Sequence, residues 1–331
     1  MPFLGAHQSI AGGYYRSVEW ATASTCACVQ LFTKNNNQWA GKPITPDEAA
    51  KFRATHDTAK LQHPLAHNSY LINLAAPDEV LWEKSIAAMI EELRRADLLG
   101  IPYVVAHPGA FTSSSEAIGL QRIIAGFDRI HAELPNAAAV TLLECTAGQG
   151  SCLGHRLEHL NEILGGVQQP ARLAVCLDTC HLFAAGYPLA DINDYDATMR
   201  DLDRLIGSKL VKAIHLNDSK KGLGSRVDRH EHIGQGLIGV EGFRNLLNDP
   251  RFAKVPMYLE TPKGEGGDEG IKLDAENLRV LRSLIAGAEP LAKAFVKKVV
   301  PVLVNPVAKK SVVKKAAAKS DVKKATPKKQ A

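Results

Sequence analysis

The sequence predicts a (β/α)8 TIM barrel followed by a disordered, lysine-rich C-terminal tail. Three observations carry that expectation. Eight short apolar runs alternate with eight amphipathic stretches from the start of the chain to about residue 286. A His, Asp or Glu stands at or just past the end of most of the apolar runs. From Ala288 onward the composition changes to lysine mixed with alanine, valine, serine and proline. Strands that alternate with helices make a parallel sheet, and eight such repeats suit a closed barrel. An open doubly wound sheet would more often place a glycine-rich phosphate turn after its first strand. Here that segment is Gly5-Ala-His-Gln-Ser-Ile-Ala-Gly-Gly13, which does not fit GxGxxG.

The elements follow in order. A strand over 3–7 ends on His7 and leads to a helix over 12–25. A strand over 28–33 precedes the polar run Lys34-Asn-Asn-Asn37-Gln-Trp39 and a helix over 46–59. The strand 61–67 closes on Ala-His67-Asn-Ser-Tyr70. The helix 78–99 has the clearest pattern, with apolar residues at three and four spacing, two acids after Pro77 and Gly100 past its end. A strand over 102–107 ends Val-Val-Ala-His107-Pro-Gly, before a helix over 115–134. A strand over 139–144 ends Leu-Leu-Glu144, before a helix over 156–166. The strand 173–178 ends Cys-Leu-Asp178-Thr-Cys-His181, before a helix over 190–206. The strand 210–215 ends Ala-Ile-His215, and Asp228-Arg-His230 lies in the connection to a helix over 239–248. The last strand, 256–260, ends Tyr-Leu-Glu260-Thr-Pro, before a helix over 269–286.

Composition narrows the function classes. No run approaches ~18 uninterrupted apolar residues, so no transmembrane helix is expected. The N-terminus lacks the basic start and apolar core of a signal peptide, so the protein is expected inside the cell. All six cysteines are expected as free thiols, with Cys176 and Cys180 packing as small apolar residues. Twelve of the 40 basic residues and two of the 35 acidic ones lie in 288–331. That segment therefore carries +10 and the remainder −5. It has one aromatic, Phe295, and too little apolar bulk for a core. A short helix is expected near 290–300. Two domains follow, a barrel over 1–287 and a basic tail over 288–331.

In barrels the active site lies at the carboxyl ends of the strands, where these His, Asp and Glu residues stand. Nine such groups suggest a metal cluster rather than one ion. Imidazole with carboxylate suits Zn²⁺, Mn²⁺ or Fe²⁺. Two or three ions close together suit phosphodiester cleavage by in-line displacement. His7 is expected to hydrogen-bond to ligands rather than bind metal. His56, His63, His131, His155 and His159 are expected as ordinary surface residues.

The segments Leu177-Asp-Thr-Cys-His-Leu-Phe-Ala-Ala-Gly-Tyr187, His215-Leu-Asn-Asp218, Gly224-Ser-Arg-Val-Asp-Arg-His230 and His232-Ile-Gly-Gln-Gly236 closely resemble the endonuclease IV family. That family holds the zinc-dependent apurinic/apyrimidinic endonucleases of base-excision repair. Glu144-Cys-Thr-Ala-Gly-Gln-Gly150, Leu31-Phe-Thr-Lys-Asn35 and Gly5-Ala-His7 match as well, so the resemblance spans about residues 3–285. It implies a barrel carrying three zinc ions, with Mn²⁺ as a substitute. His67, His107 and Glu144 would hold the first ion. Glu144 would bridge to the second, with Asp178, His215 and Glu260. His181, Asp228 and His230 would hold the third. The implied reaction cleaves the phosphodiester 5′ to an abasic site in duplex DNA, leaving a 3′-hydroxyl and a 5′-deoxyribose phosphate. Blocked 3′ ends are cleaned as well. Glu260 and Glu144 are the expected catalytic carboxylates.

Loops 34–39 and 68–72 resemble those that enter DNA in the family. Asn37, Tyr70, Leu71 and Arg226 are the expected contacts, with Tyr70 and Leu71 as wedges. The tail lysines Lys309, Lys310, Lys314, Lys315, Lys323 and Lys324 are expected on phosphates. The family commonly has Arg near Asn37, and Trp39 is either the residue that compensates for its loss or part of the core. Cys145 stands where Asn often follows the bridging Glu. The protein is expected as a monomer in the cytoplasm or nucleoid, or in a nucleus if eukaryotic. Two other classes compete. A metal-dependent sugar isomerase or epimerase on a related barrel also gathers His, Asp and Glu, but typically needs fewer ligands and no DNA wedge. A DNA-coating protein with a vestigial barrel would explain the tail, whose pattern resembles linker-histone-like tails, but not nine intact ligands.

Overall fold

The computed structural model describes residues 2–287. Within them the chain forms β1 (Leu4–Gln8), α1 (Tyr14–Ala23), β2 (Cys28–Phe32), α2 (Pro46–Ala59), β3 (Gln62–His67), α3 (Glu79–Leu99), β4 (Tyr103–Ala106), α4 (Glu116–Glu133), β5 (Val140–Glu144) and α5 (Leu157–Gly166). Then come β6 (Leu173–Asp178), α6 (Thr179–Ala185), α7 (Ile192–Leu205), β7 (Val211–His215), β8 (Asp218–Ser219), β9 (His230–Glu231), α8 (Gly239–Leu247), β10 (Met257–Leu259) and α9 (Gly267–Ser283). Eight strands close into a parallel barrel in the order β1-β10-β7-β6-β5-β4-β3-β2. The short strands β8 and β9 pair antiparallel outside it. The tail, with its expected disorder, short helix and lysines, lies outside the described residues.

Local chemistry explains the helix starts. Thr45 and Glu48 form a reciprocal capping box on α2, with Pro46 at its first position. Asp78 accepts from Leu81 N at the start of α3, and Gly100 ends that helix at φ 73°. Ser115 caps α4 by accepting from Ile118 N. The helix α6 is the element that the sequence reading lacks. Seven residues are too few to show a helical period, and it begins directly after β6. Asp178 creates it by accepting from His181 N at 2.9 Å, and Gly186 at φ 109° stops it.

The period-two alternation of strand side chains divides the core into two layers. Cys28, Leu65, Val105, Leu142, Cys176, Ala213 and Tyr258 point inward and pack, with Ala174, as a buried plug. Val29, Leu31, Ala66, Val104, Leu143, Val175 and Ile214 belong to the larger cluster shared with the helices. Two residues beyond each plug residue, on the same inward face, come Gln30, His67, His107, Glu144, Asp178, His215 and Glu260. A pattern that is apolar below and ionisable above thus turns one end of the barrel into a polar basin. Gly5 is the plug-level position of β1. A Cβ there would lie 1.9 Å from the Cys28 carbonyl oxygen, so only glycine lets β1 and β2 approach.

Three of the five histidines expected at the surface are buried: His131, His155 and His159. His159 Nδ1 lies 3.2 Å from Gly154 N and its Nε2 lies 2.9 Å from Arg156 Nε, while His155 donates to the Cys152 carbonyl at 2.9 Å. These two bind the long connection after β5 to the start of α5, a role with no periodic signature. His131 packs on Phe127 of α4. The thiols are free, as expected, and Cys176 and Cys180 are fully buried. No described helix is long and apolar enough to cross a membrane.

Candidate metal centre

Glu144, fully buried at the end of β5, is the hub of the basin. Its Oε2 lies 3.1 Å from His67 Nε2 and 3.1 Å from His107 Nε2. Its Oε1 lies 3.0 Å from His215 Nδ1 and 3.3 Å from His181 Nδ1. His215 Nδ1 is also 3.2 Å from Glu260 Oε2. Asp228 has one oxygen 3.2 Å from His181 Nε2 and the other 3.3 Å from His230 Nε2, close approaches that lack hydrogen-bond geometry. Ligand atoms within 4.8 Å of one another form overlapping sets: His67, His107 and Glu144; Glu144, Asp178, His215 and Glu260; Asp178, His181 and His230; and Cys180, Asp228 and His230. All nine residues singled out in the sequence therefore meet in one basin. Glu144 belongs to two sets, and Asp178 also joins two. The His181, Asp228 and His230 neighbourhood is shared with Asp178 and with the Cys180 thiol.

Backbone and amide partners select which nitrogen each imidazole offers. A carbonyl oxygen only accepts, so a ring nitrogen bonded to one must carry hydrogen, and in the neutral ring the other nitrogen keeps its lone pair. His67 Nδ1 donates to Asn68 O at 2.9 Å, His181 Nδ1 to Cys145 O at 2.9 Å, and His230 Nδ1 to Glu260 O at 3.1 Å. Each presents Nε2 to the basin. Gln30 makes the opposite choice for His215. Its amide donates to Glu260 Oε1 at 2.6 Å, so its oxygen faces His215 Nε2 at 2.8 Å and Nδ1 is left for the basin. Gln30 also donates to His7 Nδ1 at 2.9 Å, which places His7 behind Glu260 as a hydrogen-bonding partner. Asn217 donates to Asp178 Oδ2 at 2.7 Å and accepts from Glu260 N at 2.8 Å.

The electrostatics match a cation site. Burial would raise Glu144, but His215 and His107 hold it well below the usual carboxylate range. Burial likewise opposes ionisation of Glu260, and His215 and His7 override it downward. Burial would lower the imidazoles, yet Asp178, Asp228 and Glu144 push His181 well up, and Asp228 and Asp178 push His230 to about 9. The basin thus attracts positive charge strongly enough to draw protons onto buried imidazoles. The buried Nε2 atoms of His181 and His230 have no hydrogen-bond partner. Such orphaned atoms cost about 1–3 kcal/mol each, and a divalent cation would satisfy them. Imidazole and carboxylate donors without an obligatory thiolate fit zinc or manganese.

Other predicted residues divide by position. Tyr70 is 54% exposed, with its ring edge-on to Phe32 and to His67 at centroid distances of 5.6 and 5.4 Å. Leu71 beside it is half-buried, Asn37 is exposed, and Arg226 is exposed at φ 54° in the loop between β8 and β9. Trp39 is not at the rim. It is half-buried against the core, with Lys84 Nζ 4.4 Å over its ring. Cys145 accepts from Asp178 N through its sulfur at 3.0 Å, so its side chain steadies Asp178 rather than Glu144.

Gln30, Asn217 and Asp218 are the residues that the sequence reading missed. Gln30 had a signal: it is a polar residue inside an apolar strand, two positions past Cys28. Asn217 had none, since amides are not expected ligands. Asp218 is buried and accepts from the backbone nitrogens of Gly234, Gly236 and Ile238, fastening the loop that follows His230.

Comparison with known proteins agrees with this geometry. The family model described as a xylose isomerase-like TIM barrel matches residues 18–284. A probable endonuclease 4 from Chloroflexus aurantiacus is 51% identical over 289 residues, covering 87% of this chain and 100% of that protein. The crystal structure of endonuclease IV from Thermus thermophilus superposes with a TM-score of 0.75 at 40% identity, over 86% of this chain and 98% of that one. A D-tagatose 3-epimerase-like protein superposes with a TM-score of 0.62 at 16% identity, over 84% of this chain and 98% of that one, and shares the fold alone. A basin of imidazoles and carboxylates at the carboxyl end of the barrel, with near-complete alignment to endonucleases, leads to one conclusion: the chain belongs to the endonuclease IV family of DNA-repair nucleases.

Proposed function

We propose that this protein hydrolyses the phosphodiester 5′ to abasic sites in duplex DNA, leaving a 3′-hydroxyl and a 5′-deoxyribose phosphate, and clears blocked 3′ ends. The observation that carries this reading is Glu144 standing between two ligand sets, beside a third whose ring nitrogens lack hydrogen-bond partners. His67, His107 and Glu144 would hold one zinc ion, Glu144, Asp178, His215 and Glu260 a second, and His181, Asp228 and His230 a third, with Mn²⁺ as a substitute. When bound, such ions supply Lewis acidity to a phosphodiester and to the attacking water.

The chain's own residues do the rest. Glu260 Oε2 orients the attacking water, because Gln30 and the backbone contact with Asn217 hold its carboxylate still. Glu144 keeps the ligand sets at a fixed separation. Tyr70 and Leu71 fill the gap left by a missing base, while Asn37 and Arg226 contact the backbone. The tail lysines, among them Lys309, Lys310, Lys314, Lys315, Lys323 and Lys324, retain DNA without reading sequence. The protein acts as a monomer at the chromosome. The test combines elemental analysis with cleavage of an end-labelled abasic duplex. About three ions per chain and a 3′-hydroxyl product are expected. Full activity in metal-free protein, or a product cut 3′ to the lesion, would refute the reading.

A further inference from the structure

Glu92 and Arg95 lie three residues apart on α3, away from the barrel strands, yet they are 1% and 2% exposed. Glu92 reaches both rim loops, and Arg95 bonds beside it to the chain that leads into and out of the first. Glu92 Oε1 accepts from Lys34 Nζ at 2.6 Å and from Ser69 N at 3.2 Å, and Oε2 accepts from Thr33 Oγ1 at 2.5 Å. Arg95 donates to the Thr33 and Lys42 carbonyls, both at 2.8 Å. Ser69 joins the loops directly: its Oγ donates to Asn36 O at 2.6 Å and accepts from Leu71 N at 3.3 Å. One carboxylate is thus bonded to the loop that carries Asn37 and to the loop that carries Tyr70. A buried pair such as Lys34–Glu92 adds little stability over apolar packing, because desolvation offsets the Coulombic gain. A fully hydrogen-bonded one can specify geometry instead.

We propose that Glu92 is a positioning residue for DNA selectivity. Through Lys34, Thr33 and Ser69 it holds the two rim loops in register, so that Asn37 and Tyr70 engage an abasic duplex together. This rests on reading those loops as DNA-contacting. Glu92 is bonded to none of the nine ligands, so the metal basin works without it.

The experiment compares two substrates and two variants. Glu92→Gln keeps the side-chain size and removes the charge. The double variant Lys34→Met with Glu92→Leu replaces the pair by apolar chains and guards against loss of folding from a lone buried lysine. The substrates are a duplex with one abasic site and bis(p-nitrophenyl) phosphate, a small phosphodiester that does not need the loops. For both variants, KM for the duplex is expected to rise about tenfold, the scale of a lost charged hydrogen bond. The kcat on the duplex should stay within about threefold, and hydrolysis of the small ester should be unchanged. Adding Tyr70→Ala to Glu92→Gln should raise KM by less than the product of the separate effects. An unchanged KM, equal losses on both substrates, or unfolding of both variants would overturn the proposal. Failure of the unaltered protein to cleave the abasic duplex, with the small ester still hydrolysed, would refute the functional reading and this inference with it.

Discussion

Gln30 gives the sharpest test of how the basin is assembled. Its amide nitrogen donates to Glu260 Oε1 at 2.6 Å, and its oxygen accepts from His215 Nε2 at 2.8 Å. Gln30→Met keeps the length and the apolar stem but removes both contacts, together with the weaker neutral one to His7. Each of the first two involves a charged or charge-developing partner, so each is worth about 1.5–3 kcal/mol. Part of that loss is recovered if Glu260 relaxes toward the solvent side. A net loss of about 3 kcal/mol corresponds to roughly a hundredfold. That agrees with the roughly 10–100-fold cost typical of removing a partner that orients a metal ligand. The loss should appear in kcat on an abasic duplex and in retention of metal during dialysis against a chelator. It should not appear in DNA affinity, because Gln30 lies below the rim. The far-ultraviolet circular dichroism should match that of the unaltered protein. A variant with normal kcat and normal metal retention would show that Glu260 and His215 hold their places without Gln30, and the tautomer argument for His215 would fail.

Three other outcomes are expected. Glu260→Gln should fold normally and lose most activity, since it removes charge from the basin and little volume; near-normal turnover would remove Glu260 from the chemistry. Deletion of residues 288–331 should flatten the slope of log affinity against log salt by about 5, if roughly half of the twelve lysines meet phosphates at ~0.9 each. Turnover at saturating DNA should hold, and superimposable salt slopes would reduce the tail to a solubilising segment. Burial, with help from the charge on Arg172, lowers His131 from 6.5 to about 4. The folded state therefore prefers the neutral ring, and its contribution is intact above pH 6.5 and lost as pH falls through 4. His131→Gln should flatten the decline of stability across that window, by at most about 3 kcal/mol at the acid end. Urea melts at about pH 7 and about pH 4 check this, and equal declines in both proteins would refute it.

Much of the fold was legible because its signals are local. Strand and helix periods, the Asp78 cap, and Gly100 after α3 are written over a few residues each. The candidate ligands were legible for the same reason: an ionisable residue that ends an apolar run stands at a strand mouth, and strand mouths share one face in a closed barrel. The helix α6 escaped because a side chain already counted as a ligand, Asp178, also starts it. The buried histidines escaped because nothing near His155 or His159 in sequence states that a loop will close over them.

By itself, then, the sequence determined the barrel, the order of its strands along the chain and the set of nine groups that meet. These depend on alternation and chain order, which are one-dimensional. The tertiary structure alone decided how the groups meet. It gave Gln30 the choice of nitrogen on His215, brought Asp178 and Cys180 into the third neighbourhood, and tied both rim loops to one carboxylate on α3. Each of these depends on the angle and separation of side chains from strands distant in sequence, and closure of the barrel is what sets those angles.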